Sequence, residues 1–291
     1  MLLVLTGCST SVGQATQDDP RPLVLTTFTV LADMARNVAG DRLRVESITK
    51  PGAEIHGYEP TPGDLQRAAR AALILDNGLG LEAWFAKFVA DLNVPHAVLS
   101  EGVEPIAISS GSYAGRVNPH AWMSPTNAQR YVANMVSAFS ALDPAGAADY
   151  RDRAAGYQAQ LTAVRTDLLD QIAAVPPAQR ALVTCEGAFS YLARDVGLTE
   201  AYLWPVNAER EGTPKQVVAT IEFVERNRVP AVFCETTVSD KAQRQVAENA
   251  GTRLAGSLYV DSLSTADGPV PTYLDLLRYD TRTIAEGLTG R

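Results

Sequence analysis

At 291 residues the chain is longer than one ordinary hydrophobic core serves and suits two domains. Hydrophobic residues at 46% and charged residues at 20% exclude a disordered or collagen-like chain. The net charge of −8, from 25 Lys+Arg against 33 Asp+Glu, speaks against nucleic acid as a partner, since phosphate binding needs a basic face. No apolar run reaches the roughly 18 residues of a membrane-spanning helix.

Residues 1–8 read Met-Leu-Leu-Val-Leu-Thr-Gly-Cys, an apolar run whose end resembles a bacterial lipobox. That resemblance implies a lipid on Cys8, holding the protein at a membrane surface without crossing it. Export and an oxidising compartment follow. The small, polar residues 9–20 read as a tether.

From Arg21 onward, short apolar runs alternate with helical stretches. Leu23 to Phe28 is a strand, Val30 to Val38 has helical spacing, and Leu43 to Ile48 alternates as a strand does. A Pro/Gly loop leads to a helix opened by Pro62-Gly63-Asp64 and running to about Ala71. Ala72 to Leu75 is a buried strand closed by Asn77-Gly78, Leu81 to Leu92 is helical, and Ala97 to Leu99 is extended. A βα series of this kind predicts a parallel sheet covered by helices.

Tyr150, Ala154, Tyr157, Leu161, Val164, Leu168 and Ile172 recur at three- and four-residue steps. They predict one amphipathic helix about 45 Å long, stopped by Pro176-Pro177. The βα alternation then resumes with apolar runs at 181–185, 201–204, 231–234 and 253–259. The expected architecture is α/β: a tether at 1–20, a first lobe at 21–143, a linking helix at 144–175 and a second lobe at 176–291.

Open α/β sheets place sites at the C-terminal ends of their strands. Four residues fit that rule: His56 after the second strand, His120 in a later loop, Glu186 ending the first strand of the second lobe, and Asp261 ending its last. Two imidazoles and two carboxylates suit a divalent first-row metal, the carboxylates supplying the charge that offsets the ion. Spacing alone carries no local signature, because the four lie dozens of residues apart.

The flanks carry more. His56 with Tyr58-Glu59-Pro60 and Asp64-Leu65, Asn77-Gly78 with Leu81-Glu82-Ala83-Trp84, Asn118-Pro119-His120-Ala121-Trp122, Glu211-Gly212-Thr213-Pro214, and Asp261-Ser262 resemble the metal-binding lipoproteins of manganese, zinc and iron ABC importers. The resemblance covers nearly the whole mature chain. It implies two βα lobes tied by a rigid helix, with ligands at His56, His120, Glu186 and Asp261. Zinc-dedicated members typically place a His third and carry a His-rich loop; Glu186 and the His-free Ser109–Arg116 stretch imply the manganese or iron subgroup. The expected cargo is one divalent ion, Mn²⁺ first and Fe²⁺ or Zn²⁺ next. The expected partners are a membrane permease and, through Cys8, the membrane; the protein is expected to be a monomer and not an enzyme.

Other readings attach to the same residues. Glu186 could cap the following helix, and Asp261 could form an Asx-turn with Ser262. Asn118 and Trp122 are expected to orient His120, and Glu235 to sit behind the site. His96 and the tryptophans read as structural. Cys185 and Cys234 each end an apolar strand and read as small buried hydrophobes; export leaves a disulfide between them as the alternative, one whose geometry adjacent parallel strands rarely offer. A metal-dependent hydrolase would need an open coordination position, and an adhesin would work through its surface; these are the two alternatives.

Overall fold

The computed structural model describes residues 19–89, 92–109, 111–206 and 212–290; the lipobox with Cys8, and Glu211, lie outside them. The first half of the chain builds one parallel sheet. Strands β1 (Leu23–Thr26), β2 (Arg44–Ser47), β3 (Leu73–Asp76) and β4 (His96–Val98) lie in the order β2-β1-β3-β4. All three pairings are parallel and in continuous register. Helices α1 (Thr29–Ala39), α2 (Pro62–Ala69) and α3 (Ala83–Val89) make the crossovers, as parallel strands require.

Local chemistry sets these boundaries. Thr61 opens α2 through a capping box with Asp64, and Pro62 stands in the first turn, where its missing N–H costs nothing. That helix ends at Ala69, two residues before the expected end, and α3 covers only part of the expected 81–92 stretch.

Two long helices follow: α4 (Pro125–Leu142) and α5 (Ala147–Ala173). The buried residues of α5 are the seven whose spacing predicts the helix: Tyr150, Ala154, Tyr157, Leu161, Val164, Leu168 and Ile172. Its 27 residues span about 40 Å. It packs against α1 and α4 on one side of the molecule and against two later helices on the other.

The second half holds β5 (Ala181–Glu186), α6 (Ser190–Val196), β6 (Thr199–Trp204), α7 (Pro214–Asn227), β7 (Ala231–Glu235), α8 (Lys241–Ala250), β8 (Arg253–Leu258) and α9 (Tyr273–Thr289). Here β5 pairs with β6 and β7 with β8, both parallel. Strands β5 and β7 lie side by side without forming a ladder. Side chains bridge that seam. The Gln243 amide donates to Val183 O at 3.2 Å and Phe233 O at 2.8 Å.

Cys185 and Cys234 form a disulfide, with Cα atoms 4.9 Å apart. The disulfide left open by the sequence therefore replaces the reading of two small buried hydrophobes. The argument from parallel ladders does not hold at a seam, where the strands are neighbours without being hydrogen-bonded partners.

The principal core is continuous across both halves: Val24 and Leu75 of the first sheet, Leu161 of α5, Phe189, and Ile284 of α9 belong to one cluster. Helix α5 runs through it, so both halves pack on a shared spine. Among the described residues no helix is long and apolar enough to cross a membrane.

Candidate metal centre

The loops at the C-terminal ends of the strands converge. His56 lies between β2 and α2, and His120 sits in the loop after β4, just before the turn that leads to α4. Glu186 is the last residue of β5. Asp261 lies three residues past Leu258, the end of β8, in the segment after the strand and not at its last position as expected. One ligand atom from each of the four falls within 4.8 Å of every other.

Individual distances are short. His56 Nε2 is 3.0 Å from His120 Nε2, 3.2 Å from Glu186 Oε1 and 3.8 Å from Asp261 Oδ1. His120 Nε2 is 3.6 Å from Glu186 Oε1. His120, Glu186 and Asp261 are fully buried, and the His56 side chain is 5% exposed.

Each histidine is held from behind. Asn118 Oδ1 accepts from both the backbone N–H and Nδ1 of His120, each at 3.0 Å. An amide oxygen only accepts, so Nδ1 carries the proton and the Nε2 lone pair faces the other three side chains. The Glu54 carboxylate accepts from the backbone N–H groups of His56 at 2.7 Å and Gly57 at 2.9 Å. Trp84 Nε1 donates to Ile55 O at 3.0 Å.

The two carboxylates have their own supports. Glu235 Oε2 accepts from Glu186 N at 3.1 Å. Trp122 Nε1 donates to Val260 O at 3.2 Å, and Ser262 Oγ accepts from Gly52 N at 2.7 Å. The Asp261 segment is thereby gripped on both sides by residues of the first half. Trp122 also packs its ring 5.1 Å from that of His120. Asn118 and Trp122 thus touch His120, and Glu235 touches Glu186.

Sequence reasoning missed Glu54 and Gln243, and it named Ser262 only beside Asp261, without its bond from Gly52. Glu54 stands two residues before His56, a visible signal; for Gln243 nothing local marks the role. His96 lies outside the cluster, with Nδ1 3.6 Å from Asp76 Oδ2.

The electrostatics describe a strained group of charges. Burial disfavours protonated His56, but Glu186, Asp261 and Glu54 outweigh it and raise its pKa to about 9. Burial, helped by the neighbouring His56 charge, lowers His120 to about 3. Asp261 is raised to about 7 by burial and then by Glu186, against the pull of His56. Burial and the Glu186 charge hold Glu235 well above the carboxylate range. Asp261 Oδ1 is buried without a hydrogen-bond partner among the described residues, a costly arrangement for an anionic oxygen. A dication among these donors would offset both carboxylates and satisfy that oxygen, so the residues fit a metal. The neighbouring group of Cys185, Cys234 and Glu235 offers no thiolate, because its sulfurs are bonded to each other.

Comparison with known proteins agrees. The chain matches, over residues 24–287, the family described as ZnuA, zinc-uptake complex component A, periplasmic. It is 50% identical over 265 residues to the iron-binding protein YfeA of Yersinia pestis, covering 91% of this chain and 85% of that one. It is 31% identical to the manganese ABC transporter substrate-binding lipoprotein PsaA of Streptococcus pneumoniae, covering 99% and 95%. Among solved structures, an Mn-bound periplasmic metal-binding protein from Candidatus Liberibacter asiaticus superposes with a TM-score of 0.87 at 37% identity, over 92% of this chain and 100% of that one. The periplasmic zinc-binding protein TroA of Treponema pallidum gives 0.84 at 25% identity, over 92% and 99%. This chain belongs to the ZnuA family of periplasmic metal-binding components of ABC importers, a family of transport proteins and not of enzymes.

Proposed function

We propose that the protein captures one divalent transition metal outside the cytoplasm through His56, His120, Glu186 and Asp261 and hands it to a membrane permease. The observation that carries this reading is the convergence of four donor atoms within 4.8 Å, with His120 Nε2 left unprotonated by the bond from Nδ1 to Asn118. His56 Nε2 carries the proton shared with His120, and an incoming dication displaces it.

Mn²⁺ is the favoured cargo, with Fe²⁺ or Zn²⁺ as the others. Two carboxylates can each bind through both oxygens and raise the coordination number above four, which suits Mn²⁺ and Fe²⁺ better than tetrahedral Zn²⁺. Relatives named for iron and for manganese support the same range. Affinity alone would favour Zn²⁺ over Mn²⁺, so selectivity rests on geometry.

The proposed organisation is a tether at 1–20, lobes at 21–143 and 176–291, and a linking helix at 144–175. The core shared by both halves supports modest movement on release. A lipid on Cys8 holds the monomeric protein at the membrane. Relatives named as substrate-binding lipoproteins support that anchor, and the relatives named above are neither hydrolases nor adhesins by description.

The test is elemental analysis of untagged protein purified without chelator, then titration of Mn²⁺ against Zn²⁺ into the stripped form. About one equivalent per chain is expected, lost in Glu186→Ala and Asp261→Ala. No bound metal, and no thermal shift with any divalent ion, would overturn the reading. For the anchor, Cys8→Ser should release the full-length protein from membranes, and continued membrane association would refute it.

A further inference from the structure

A chain of hydrogen bonds runs from His120 into the second half of the molecule. His120 Nδ1 donates to Asn118 Oδ1 at 3.0 Å. The other end of the same amide, Nδ2, donates to Gly187 O at 2.6 Å and to Ser190 Oγ at 3.1 Å. A carbonyl oxygen can only accept, so Gly187 fixes which way the Asn118 amide faces. Ser190 in turn donates to Glu200 Oε2 at 2.5 Å.

The polarity of every link is determined. A serine hydroxyl has one proton; with that proton on Glu200, its lone pairs are left for Asn118. Without the carboxyl, the hydroxyl is free to rotate and to present its proton to Asn118 Nδ2, a donor facing a donor. Glu200 thus governs the rotor that supports the amide that sets the His120 tautomer. Burial lifts Glu200 to about 7, against the bond from Ser190; the carboxylate accepts that bond at Oε2, and the acid does so when its proton sits on Oε1.

Position makes the chain informative. Glu200 lies on β6 opposite Leu182 of β5, the strand that ends in Glu186. Ser190 opens α6, while Asn118 and His120 belong to the first half. Tyr191 on the same helix donates to Asn118 O at 2.7 Å, so backbone and side chain of Asn118 are both held from across the boundary.

We propose that Glu200 is a positioning residue for the metal ligand His120, acting through Ser190 and Asn118 across the boundary between the two halves. The proposal rests on the metal-binding reading for its consequence, not for its geometry. Bonds polarised in series strengthen one another, and partners behind a metal-bound histidine raise its donor strength.

The experiment uses the full chain labelled with ¹⁵N-histidine in metal-free form. Long-range ¹H–¹⁵N correlation separates Nδ1 and Nε2 of His56, His96 and His120. Ser190→Ala and Glu200→Gln are compared with wild type, each checked for folding by circular dichroism. The expected result is movement of the His120 Nδ1 resonance in both variants, with a smaller response at His56, whose Nε2 lies 3.0 Å from His120 Nε2, and His96 in place. Mn²⁺ affinity is expected to fall about tenfold in Ser190→Ala and about threefold in Glu200→Gln, at or below the usual range for outer partners of a metal-bound histidine. A His120 resonance that stays in place in both variants overturns the proposal, as does equal movement of all three histidines, which marks a general structural role. Because that readout is made without metal, it decides the positioning role even if wild type binds no metal, an outcome that defeats the functional reading instead.

Discussion

The two halves carry the same βα pattern and hold their strands together differently. In the first half, four strands share an unbroken parallel ladder, and its candidate ligands sit on loops beyond the strand ends. In the second, two ladders meet at the β5/β7 seam, where the Gln243 amide and the Cys185–Cys234 disulfide join neighbours the backbone does not. Glu186 and Glu235 directly follow the two cysteines, and the bond from Glu186 N to Glu235 lies across the same seam. The first half therefore positions its candidate ligands by pinning loops, and the second stitches strands behind Glu186.

Removing a loop-borne ligand should have the largest effect. His120→Ala should weaken metal binding by more than the roughly 100-fold that outer partners command, while circular dichroism still reports a folded apo protein. An unchanged metal titration would remove His120 from the site. The matching change in the second half, Glu186→Ala, should lose affinity on the same scale, since the carboxylate supplies charge as well as a donor. Unequal losses would show which half dominates the site.

The seam comes next, and its changes should appear in stability. Replacing both cysteines by alanine should lower unfolding free energy by about 2–4 kcal/mol, the common range for a native disulfide. Gln243→Leu should cost about 1–3 kcal/mol, because two buried carbonyls lose their donor. Equilibrium denaturation of the metal-free protein measures both. If the double-cysteine variant and Gln243→Leu together cost no more than the larger of the two alone, each stitch depends on the other; a combined cost above the sum would mean each partly stands in for the other.

Much of this was legible in the sequence because it is periodic. All seven buried residues of α5 announce themselves at helical steps, since one face of a long helix must meet the core. Three of the four candidate ligands follow or end a predicted strand, where α/β sheets gather their sites; His120 stands in a later loop, and the flanking motifs that resemble one family singled out the set. The seam was not legible. Whether β5 and β7 pair or merely adjoin depends on sheet assembly over 49 residues of separation, and no local pattern reports it. Hence Cys185 and Cys234 read first as buried hydrophobes, and Gln243, one polar residue on an amphipathic helix, drew no reading. Glu200 was invisible on the same grounds, since its reach to His120 passes through Ser190 and Asn118, distant from it or from each other in sequence.

The smallest expected effect lies at the far end of the first half, where the sheet is clamped to the long helices. Arg42, just before β2, donates to both oxygens of Asp143 at 2.7 and 3.1 Å, and Tyr150 OH donates to the same carboxylate at 2.7 Å. Arg42 and then Tyr150 hold Asp143 at about 2, below its ordinary 3.8. A carboxyl whose folded pKa is depressed contributes stability above its unfolded value and loses it as pH falls through the folded one. The window is therefore about 4 down to about 2. Solvent reaches this cluster, with the Asp143 side chain 22% exposed and that of Arg42 33%, so screening keeps the gain small. Asp143→Asn should lower Tm slightly at pH 7, and the gap to wild type should close as pH approaches 2. A gap that persists there would mean Asp143 acts through its neutral bonds to Tyr150 and the backbone. The clamp would then resemble the seam, held by hydrogen bonds indifferent to charge, and the contrast between the halves would narrow to the ladder alone.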